Sequence, residues 1–166
     1  MPRGIPRPSR WSAPLVEEVP DGYRVNLGRL ERLVLQQAFD DLRVMVAERD
    51  PATRRLFPNA YADDPAREAE YQRLVGDDLA QSQLAALEVV ERSIDGSVVD
   101  ADELEQWMRS VNAVRLVIGT QLDVDEDTAP PRRDDPTAPL FGVYEFLTNL
   151  LLWIVAALAG ADPNRR

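Results

Sequence analysis

The C-terminal segment constrains the fold most, because residues 140–161 are almost entirely apolar and carry a single charge, Glu145. A helix that is apolar on nearly every side has to be covered by protein or by lipid. Spanning a bilayer takes about 20 apolar residues, and Glu145 with the polar pair that follows it leaves only 150–161 uninterrupted. We therefore expect a helical bundle around a buried C-terminal helix, and keep a tail-anchored membrane protein as an alternative.

Three further segments carry apolar residues at helical spacing, which predicts three more helices. Asp64-Pro65 supplies a start signal, and Asp100 with Glu103 supplies another in the form of a capping box. Two short apolar runs flank a turn sequence at 20–22, which predicts a short N-terminal β-hairpin. The fold class is therefore mainly α. The predicted helices span 26–49 with Asn26 as N-cap, 64–96 with a break at 76–78, and 100–122.

Composition divides the chain into three regions. Residues 1–14 contain four prolines and three arginines but no acid, which is typical of a flexible basic arm. We expect a single helical domain over 15–161, with an exposed and mobile acidic loop inside it at 123–139. The arm lacks the continuous apolar stretch of a secretory signal, so we expect a cytoplasmic protein.

The chain contains no cysteine and no histidine, which excludes disulfides, thiolate nucleophiles, imidazole bases and ordinary zinc sites. We expect no catalytic residue, no metal and no cofactor. The enzyme alternative is a magnesium-dependent nucleotide hydrolase that uses carboxylates one helical turn apart. We interpret such carboxylates as parts of solvated helix faces. The two pairs are Glu88 with Glu91 and Asp102 with Glu105.

Arg115 shares the apolar face of the third predicted helix, so its guanidinium should seek a carboxylate. Asp77 or Asp78, at the predicted break in the second helix, is the candidate partner. Together with Asn112, these residues form a predicted structural polar cluster. The alternative is that Arg115 acts as a ligand clamp.

The charge distribution gives little support to direct DNA binding. The net charge is −10, and acidic residues stand at the predicted helix starts, where they repel phosphate. The exception is the arm, whose basic and aromatic side chains could enter a minor groove or meet an acidic protein surface. The arm residues concerned are Arg3, Arg7, Arg10 and Trp11.

Several motifs follow one another in fixed order over residues 23–158, and they resemble those of the actinobacterial AosR-like domain-of-unknown-function family. The motifs are Arg55-Leu56-Phe57-Pro58-Asn59-Ala60-Tyr61, Trp107-Met108-Arg109, Arg115-Leu116-Val117-Ile118-Gly119-Thr120 and Val143-Tyr144-Glu145-Phe146-Leu147. Members of that family are often encoded beside the ClpS protease adaptor, and some regulate transcription by sensing oxidants through cysteines. Because this chain has no cysteine, we expect no such redox sensing here.

The resemblance and the acidic helical body together favour one function. We expect a non-enzymatic regulatory protein that acts through a protein partner, which the resemblance places in the transcription machinery or the Clp system. A second copy of the chain could also cover part of the C-terminal helix, so a homodimer is a further expectation.

Overall fold

The computed structural model describes residues 14–160, and Arg3, Arg7, Arg10 and Trp11 of the predicted arm lie outside them. The described part is a two-stranded antiparallel hairpin followed by four α-helices, which confirms the predicted fold class. The elements are β1 Val16–Val19, β2 Gly22–Val25, α1 Arg29–Glu48, α2 Pro65–Ser93, α3 Ala101–Gln121 and α4 Ala138–Leu158, with a 3₁₀ helix at Pro51–Arg55 between α1 and α2.

The hairpin is attached to the helices through Val99, which lies just before α3. Tyr23 of β2 and Val99 exchange two backbone hydrogen bonds, of 2.8 and 2.9 Å. Gly22 at the turn has a φ of 142°, and a side chain there would collide with the carbonyl of Val99. Glycine is needed at this position for both reasons. An isolated two-stranded hairpin is marginally stable, so these contacts hold it against the core.

Two helix starts follow their local cap signals. The side chain of Asp64 accepts a hydrogen bond from the backbone of Arg67 at 3.1 Å, and proline occupies the first position of α2. At α3, the Asp100 side chain accepts from the backbone of Glu103 at 2.8 Å, and the Glu103 side chain accepts from the backbone of Asp100 at 3.0 Å. This reciprocal pair is the predicted capping box.

The capping box predicts a specific loss of stability. We expect Asp100→Ala to lower the free energy of unfolding by about 1 kcal/mol, because the backbone N–H of Glu103 loses its acceptor. Urea denaturation measures the change. Asp102→Ala is the matched control, since Asp102 lies exposed in the same first turn and makes no cap bond. Equal losses in the two variants would show that the cap bond is not the cause.

The start of α1 differs from the prediction. Gly28 is the N-cap, and Asn26 is not. The backbone N–H of Asn26 donates to the carbonyl of Leu15 at 2.8 Å, and its side-chain amide donates to the carbonyl of Pro14 at 3.2 Å. These bonds extend the pairing of the hairpin past β2. Asn26 is therefore held in the hairpin, and the helix begins three residues later.

The predicted break in the second helix at 76–78 is wrong, because α2 is continuous across it. Gly76 is buried, and a Cβ built on it would lie 2.7 Å from Nη1 of Arg49. The absent side chain leaves room for Arg49, which lies at the end of α1 and binds Asp77 of α2 at 2.5 Å. Gly76 is thus a contact point between two helices rather than a helix breaker.

The hydrophobic core is centred on α3, which contributes seven buried apolar residues against four from α4. Trp107 of α3 is fully buried, and its indole N–H donates to the hydroxyl of Ser93 on α2 at 2.9 Å. α4 packs along α3 in the opposite direction, with Tyr144 near the end of α3. The buried residues of α4 are Leu147, Leu150, Trp153 and Ile154.

α4 is covered on one side only. Its most apolar 18-residue window has a mean hydropathy of 1.7, but only 22% of that window is buried inside the protein. Within residues 14–160, α4 is the one helix long and apolar enough to cross a membrane by length and composition. It begins at Ala138, so the last two residues of the predicted loop at 123–139 belong to the helix. The inner face lies in the core as predicted. On the outer face, Leu152 and Val155 are exposed, whereas Phe141 and Glu145 adjoin the loop that precedes the helix.

Candidate functional site

An open apolar groove of about 380 Å³ lies between α1, α3 and α4. It is lined on one wall by α1 and on the other by the last turns of α3 and the first turns of α4. A groove of this size with apolar walls is a candidate binding site. The apolar lining residues are Leu33, Val34, Ala38, Leu42, Met45, Val114, Val117, Ile118, Leu140 and Val143.

The groove continues into a second hollow of about 420 Å³ at the start of α1 and α4. The two hollows share Val34 and Val143, so they form one surface. Among residues 14–160, Glu31 and Asp41 are the ionisable residues that line it, and no arginine of this part of the chain lines either hollow. The surface is therefore apolar along its floor and acidic at its rim.

The amphipathic pattern of α1 explains why this surface stays open. Its innermost apolar residues are buried, but the apolar stripe is wider than the core can cover. Leu30 and Leu33 lie at its outer edge and are 73% and 55% exposed. Neighbouring exposed leucines beside an apolar groove mark an interaction surface, whereas single exposed apolar residues are ordinary. The width of the stripe was visible in the sequence, but its position beside α4 was not.

Arg115 lies half-buried between α3 and α4, together with Asn112 and Tyr144. Its Nη2 donates to Oδ1 of Asn112 at 3.0 Å, and its Nη1 donates to the Tyr144 hydroxyl at 3.5 Å. The guanidinium carbon is 5.9 Å from the centre of the Tyr144 ring. Its Nε is buried and has no acceptor within the described part of the chain.

The predicted pairing of Arg115 with Asp77 or Asp78 is wrong. Asp77 binds Arg49, and both aspartates lie exposed on α2. Arg115 instead contacts Tyr144 of α4, which the linear sequence could not place beside it. The four residues of the predicted polar cluster are therefore split between two places, and Asn112 with Arg115 forms one of them.

Replacing Arg115 tests whether this cluster is structural. We expect Arg115→Leu to remain folded, with a free energy of unfolding within about 1 kcal/mol of the wild type, because no carboxylate within residues 14–160 pairs with the guanidinium. Urea denaturation measures this, and retained partner binding would remove the ligand-clamp alternative. A loss above about 3 kcal/mol would contradict the expectation, since it would require a buried charge partner.

The carboxylate pairs of the enzyme alternative do not gather into a site in the described part. Within residues 14–160, no three acidic side chains lie close enough together to hold a metal ion. Glu91 is bound by Arg43 of α1 at 2.5 Å, so it ties α1 to α2. In the loop before α4, a hydrogen bond from the Thr128 hydroxyl lowers the pKa of Asp125, with a further contribution from the backbone of Asp127. These acids serve local structure.

The first family motif has a structural role at the entry to α2. The guanidinium of Arg67 lies 4.4 Å from the ring centre of Tyr61, and Tyr71 packs edge-on against that ring at 5.9 Å. Glu68 accepts hydrogen bonds from the backbone of Ala60 at 3.0 Å and of Tyr61 at 2.7 Å. Together with a bond from the side chain of Gln72, which contributes most, they lower the pKa of Glu68. The motif therefore fixes the loop before α2.

The later motifs meet where α3 ends against α4. A Cβ built on Gly119 would lie 3.1 Å from the ring of Tyr144 and 3.4 Å from Nη1 of Arg55. Glycine at this position lets the two helices approach closely. Arg55 also donates to the carbonyl of Val124 at 3.3 Å, which holds the chain as it leaves α3. These motif residues lie where α3 and α4 come close together, next to the groove.

Comparison with known proteins gives a family and a set of named relatives. The oxidative stress regulator AosR of Mycobacterium tuberculosis and that of Mycobacterium bovis are each 28% identical to this chain over 132 residues, which are 68% of this chain and 60% of each relative. A Mycobacterium leprae protein, provisionally given the same name, is 28% identical over 159 residues, which are 80% of this chain and 73% of the relative. These names support a regulatory role.

No solved structure matches the chain. The sequence model of a protein family described as a domain of unknown function matches residues 11–158. The match includes the hairpin and the four helices described above. The chain therefore belongs to the DUF2017 family.

Proposed function

We propose that this protein is a non-enzymatic cytoplasmic regulator that binds a protein partner in the groove between α1, α3 and α4. The observation that carries the proposal is the groove itself, which joins two apolar hollows beside the exposed Leu30 and Leu33. Grooves of this kind accept an amphipathic helix whose apolar residues recur one turn apart. No catalytic step is part of the proposal.

The charges around the groove define the partner's chemistry. Glu31 and Asp41 stand at its rim, and the chain carries a net charge of −10. A partner helix with apolar anchors on one face and basic residues at its edges would complement both features. Because Asp41 is exposed and Glu31 is only half-buried, we expect the affinity for such a partner to fall as the salt concentration rises.

The relatives' names support a role in the response to oxidative stress. The resemblance of the motifs is the ground for placing the partner in the transcription machinery or, as an alternative, in the Clp system. This chain has no cysteine, so none of its own side chains can act as a thiol sensor of oxidants. The signal would instead reach the protein through its partner or through its abundance. The partner's activity would then depend on whether it is bound in the groove.

The regulatory role is tested in the source cell by deleting the gene and measuring genome-wide transcript levels with and without peroxide. We expect a defined set of peroxide-responsive transcripts to lose its response in the deletion strain and to regain it when the wild-type gene is restored. A response that is the same in both strains, at matched growth rate, would overturn the proposal.

A further inference from the structure

The basic arm at residues 1–14 joins the described fold beside the groove. The carbonyl of Pro14 accepts a hydrogen bond from the side-chain amide of Asn26 at 3.2 Å, and the carbonyl of Leu15 accepts one from its backbone N–H at 2.8 Å. Leu30 follows Asn26 by four positions, so the two lie within about 14 Å of each other even along an extended chain. Leu30 lines the second hollow, at the start of α1 and α4. The arm is therefore attached next to that hollow.

The charges of the arm complement those of the groove. The arm contains three arginines and no acidic residue, whereas Glu31 and Asp41 are the ionisable residues of 14–160 that line the groove. Arginine and carboxylate form charge-assisted hydrogen bonds, which are stronger than those between neutral groups. The arm also carries an aromatic side chain, Trp11, near the point where it joins the fold. It thus combines an apolar anchor with basic residues, as proposed above for the partner.

The length of the arm is sufficient to follow the groove. Along α1 the groove extends from Leu30 to Met45, which is about 22 Å at 1.5 Å per residue. Residues 1–13 in the polyproline II conformation, which proline-rich segments favour, span about 40 Å. Trp11 lies three positions before Pro14, or about 9 Å in this conformation. That distance is comparable with the distance from Asn26 to the second hollow.

The arginines of the arm have a spacing similar to that of the two carboxylates. Glu31 lies in the first turn of α1, and Asp41 lies about 15 Å further along the helix. Arg10 adjoins Trp11, whereas Arg7 precedes it by four positions, or about 12 Å in the extended conformation. With Trp11 in the second hollow, Arg10 would lie beside Glu31 and Arg7 would come close to Asp41.

We propose that the arm docks in the groove of its own chain, with Trp11 in the second hollow, and that a partner has to displace it. The docking depends on the attachment point, length and charges of the arm, whereas the displacement rests on the proposed function. The covalent tether gives the arm an effective concentration in the millimolar range, so weak contacts suffice. The prolines also limit the conformational freedom that the arm loses on docking. A docked arm lowers the apparent affinity for the partner.

Fluorescence of Trp11 in the purified full-length protein tests the docking without any partner. Acrylamide quenches an exposed indole more strongly than a buried one, and subtracting the emission of a matching Trp11→Phe protein isolates Trp11 from the other tryptophans. Quenching is measured in the wild type, in Leu30→Arg and in a control, Leu74→Arg. Leu30 is 73% exposed and Leu74, on α2, is 61% exposed, so both variants should remain folded. Circular dichroism and thermal unfolding check this.

We expect Trp11 to be protected from acrylamide in the wild type and in Leu74→Arg. In Leu30→Arg, the lost apolar contact and the added positive charge should weaken docking at least about tenfold and raise the quenching constant of Trp11 at least about threefold. Equal quenching constants in the wild type and Leu30→Arg would overturn the proposal, and so would an equal rise in both variants. Protection that is lost on dilution would overturn it as well, because it would show docking into another copy.

Affinity purification from the source cell tests the displacement separately. We expect Trp11→Ser to recover more of the protein whose recovery falls with Leu33→Glu, and Ser9→Ala, a control within the arm, to recover as much as the wild type. No increase with Trp11→Ser would overturn the displacement. If no such protein is recovered, the proposed function is contradicted and the displacement with it. The docking is decided by the quenching of Trp11 alone, so the two failures are distinguishable.

Discussion

Replacing Trp107 with alanine lowers the free energy of unfolding by about 3 to 5 kcal/mol, which is the largest effect that we expect from a single substitution. Trp107 is fully buried on α3, at the centre of the core, and its indole N–H is bonded to Ser93 of α2 at 2.9 Å. The alanine variant loses the packing of an entire aromatic side chain and leaves a cavity. Urea denaturation followed by far-ultraviolet circular dichroism measures the change.

Trp107→Phe separates packing from hydrogen bonding in this result. Phenylalanine keeps most of the apolar volume but removes the donor to Ser93. We therefore expect Trp107→Phe to lower the free energy of unfolding by at least about 2 kcal/mol less than Trp107→Ala does. Ser93 retains its own bonds to backbone carbonyls of α2, so its hydroxyl stays paired. An alanine variant as stable as the wild type would contradict the placement of Trp107 in the core.

We expect Leu33→Glu to weaken partner binding strongly while leaving the fold intact. Leu33 is 55% exposed and lines the groove, so a charge there costs little in the free protein. In the complex it would replace a buried apolar contact worth about 2 to 3 kcal/mol, which weakens binding by about 30- to 150-fold. Quantitative affinity purification from the source cell measures the partner's recovery.

Leu74→Glu is the matched control for this substitution. Leu74 is 61% exposed on α2 and lines neither hollow of the groove, so the same change of residue type should leave the partner's recovery unaltered. Equal recovery with both variants would show that the partner binds elsewhere. Thermal unfolding of the two variants should agree with the wild type within a few degrees.

Local sequence signals predicted the local features of the fold. The cap at Asp64 and the capping box at Asp100 depend on residues within one turn of each other, and both are confirmed. Gly76 was misread because the residue that needs its missing side chain, Arg49, lies 27 positions earlier in the chain. A helix-breaking signal and a helix-contact signal look the same until the neighbour is known.

The groove could not be predicted from the sequence for the same reason. It exists because the start of α4 lies beside the outer edge of α1, and no short-range pattern records that arrangement. The partner of Arg115 was missed because Tyr144 lies on a different helix and carries no charge. The apolar stripe of α1 is wider than the core can cover, and Leu30 and Leu33 at its edge stay exposed. This width is the one local sign of a binding surface.

The central claim is that a protein partner occupies the groove, and photocross-linking in the living source cell tests it most directly. A photoreactive phenylalanine analogue replaces Leu33 in one strain and Leu74 in another, and the adducts are identified by mass spectrometry. With the photoreactive residue at Leu33, we predict one discrete adduct with a protein of the transcription machinery or the Clp system. With it at Leu74, we predict that this adduct does not form. No adduct at Leu33, or the same adducts at both positions, would contradict the account.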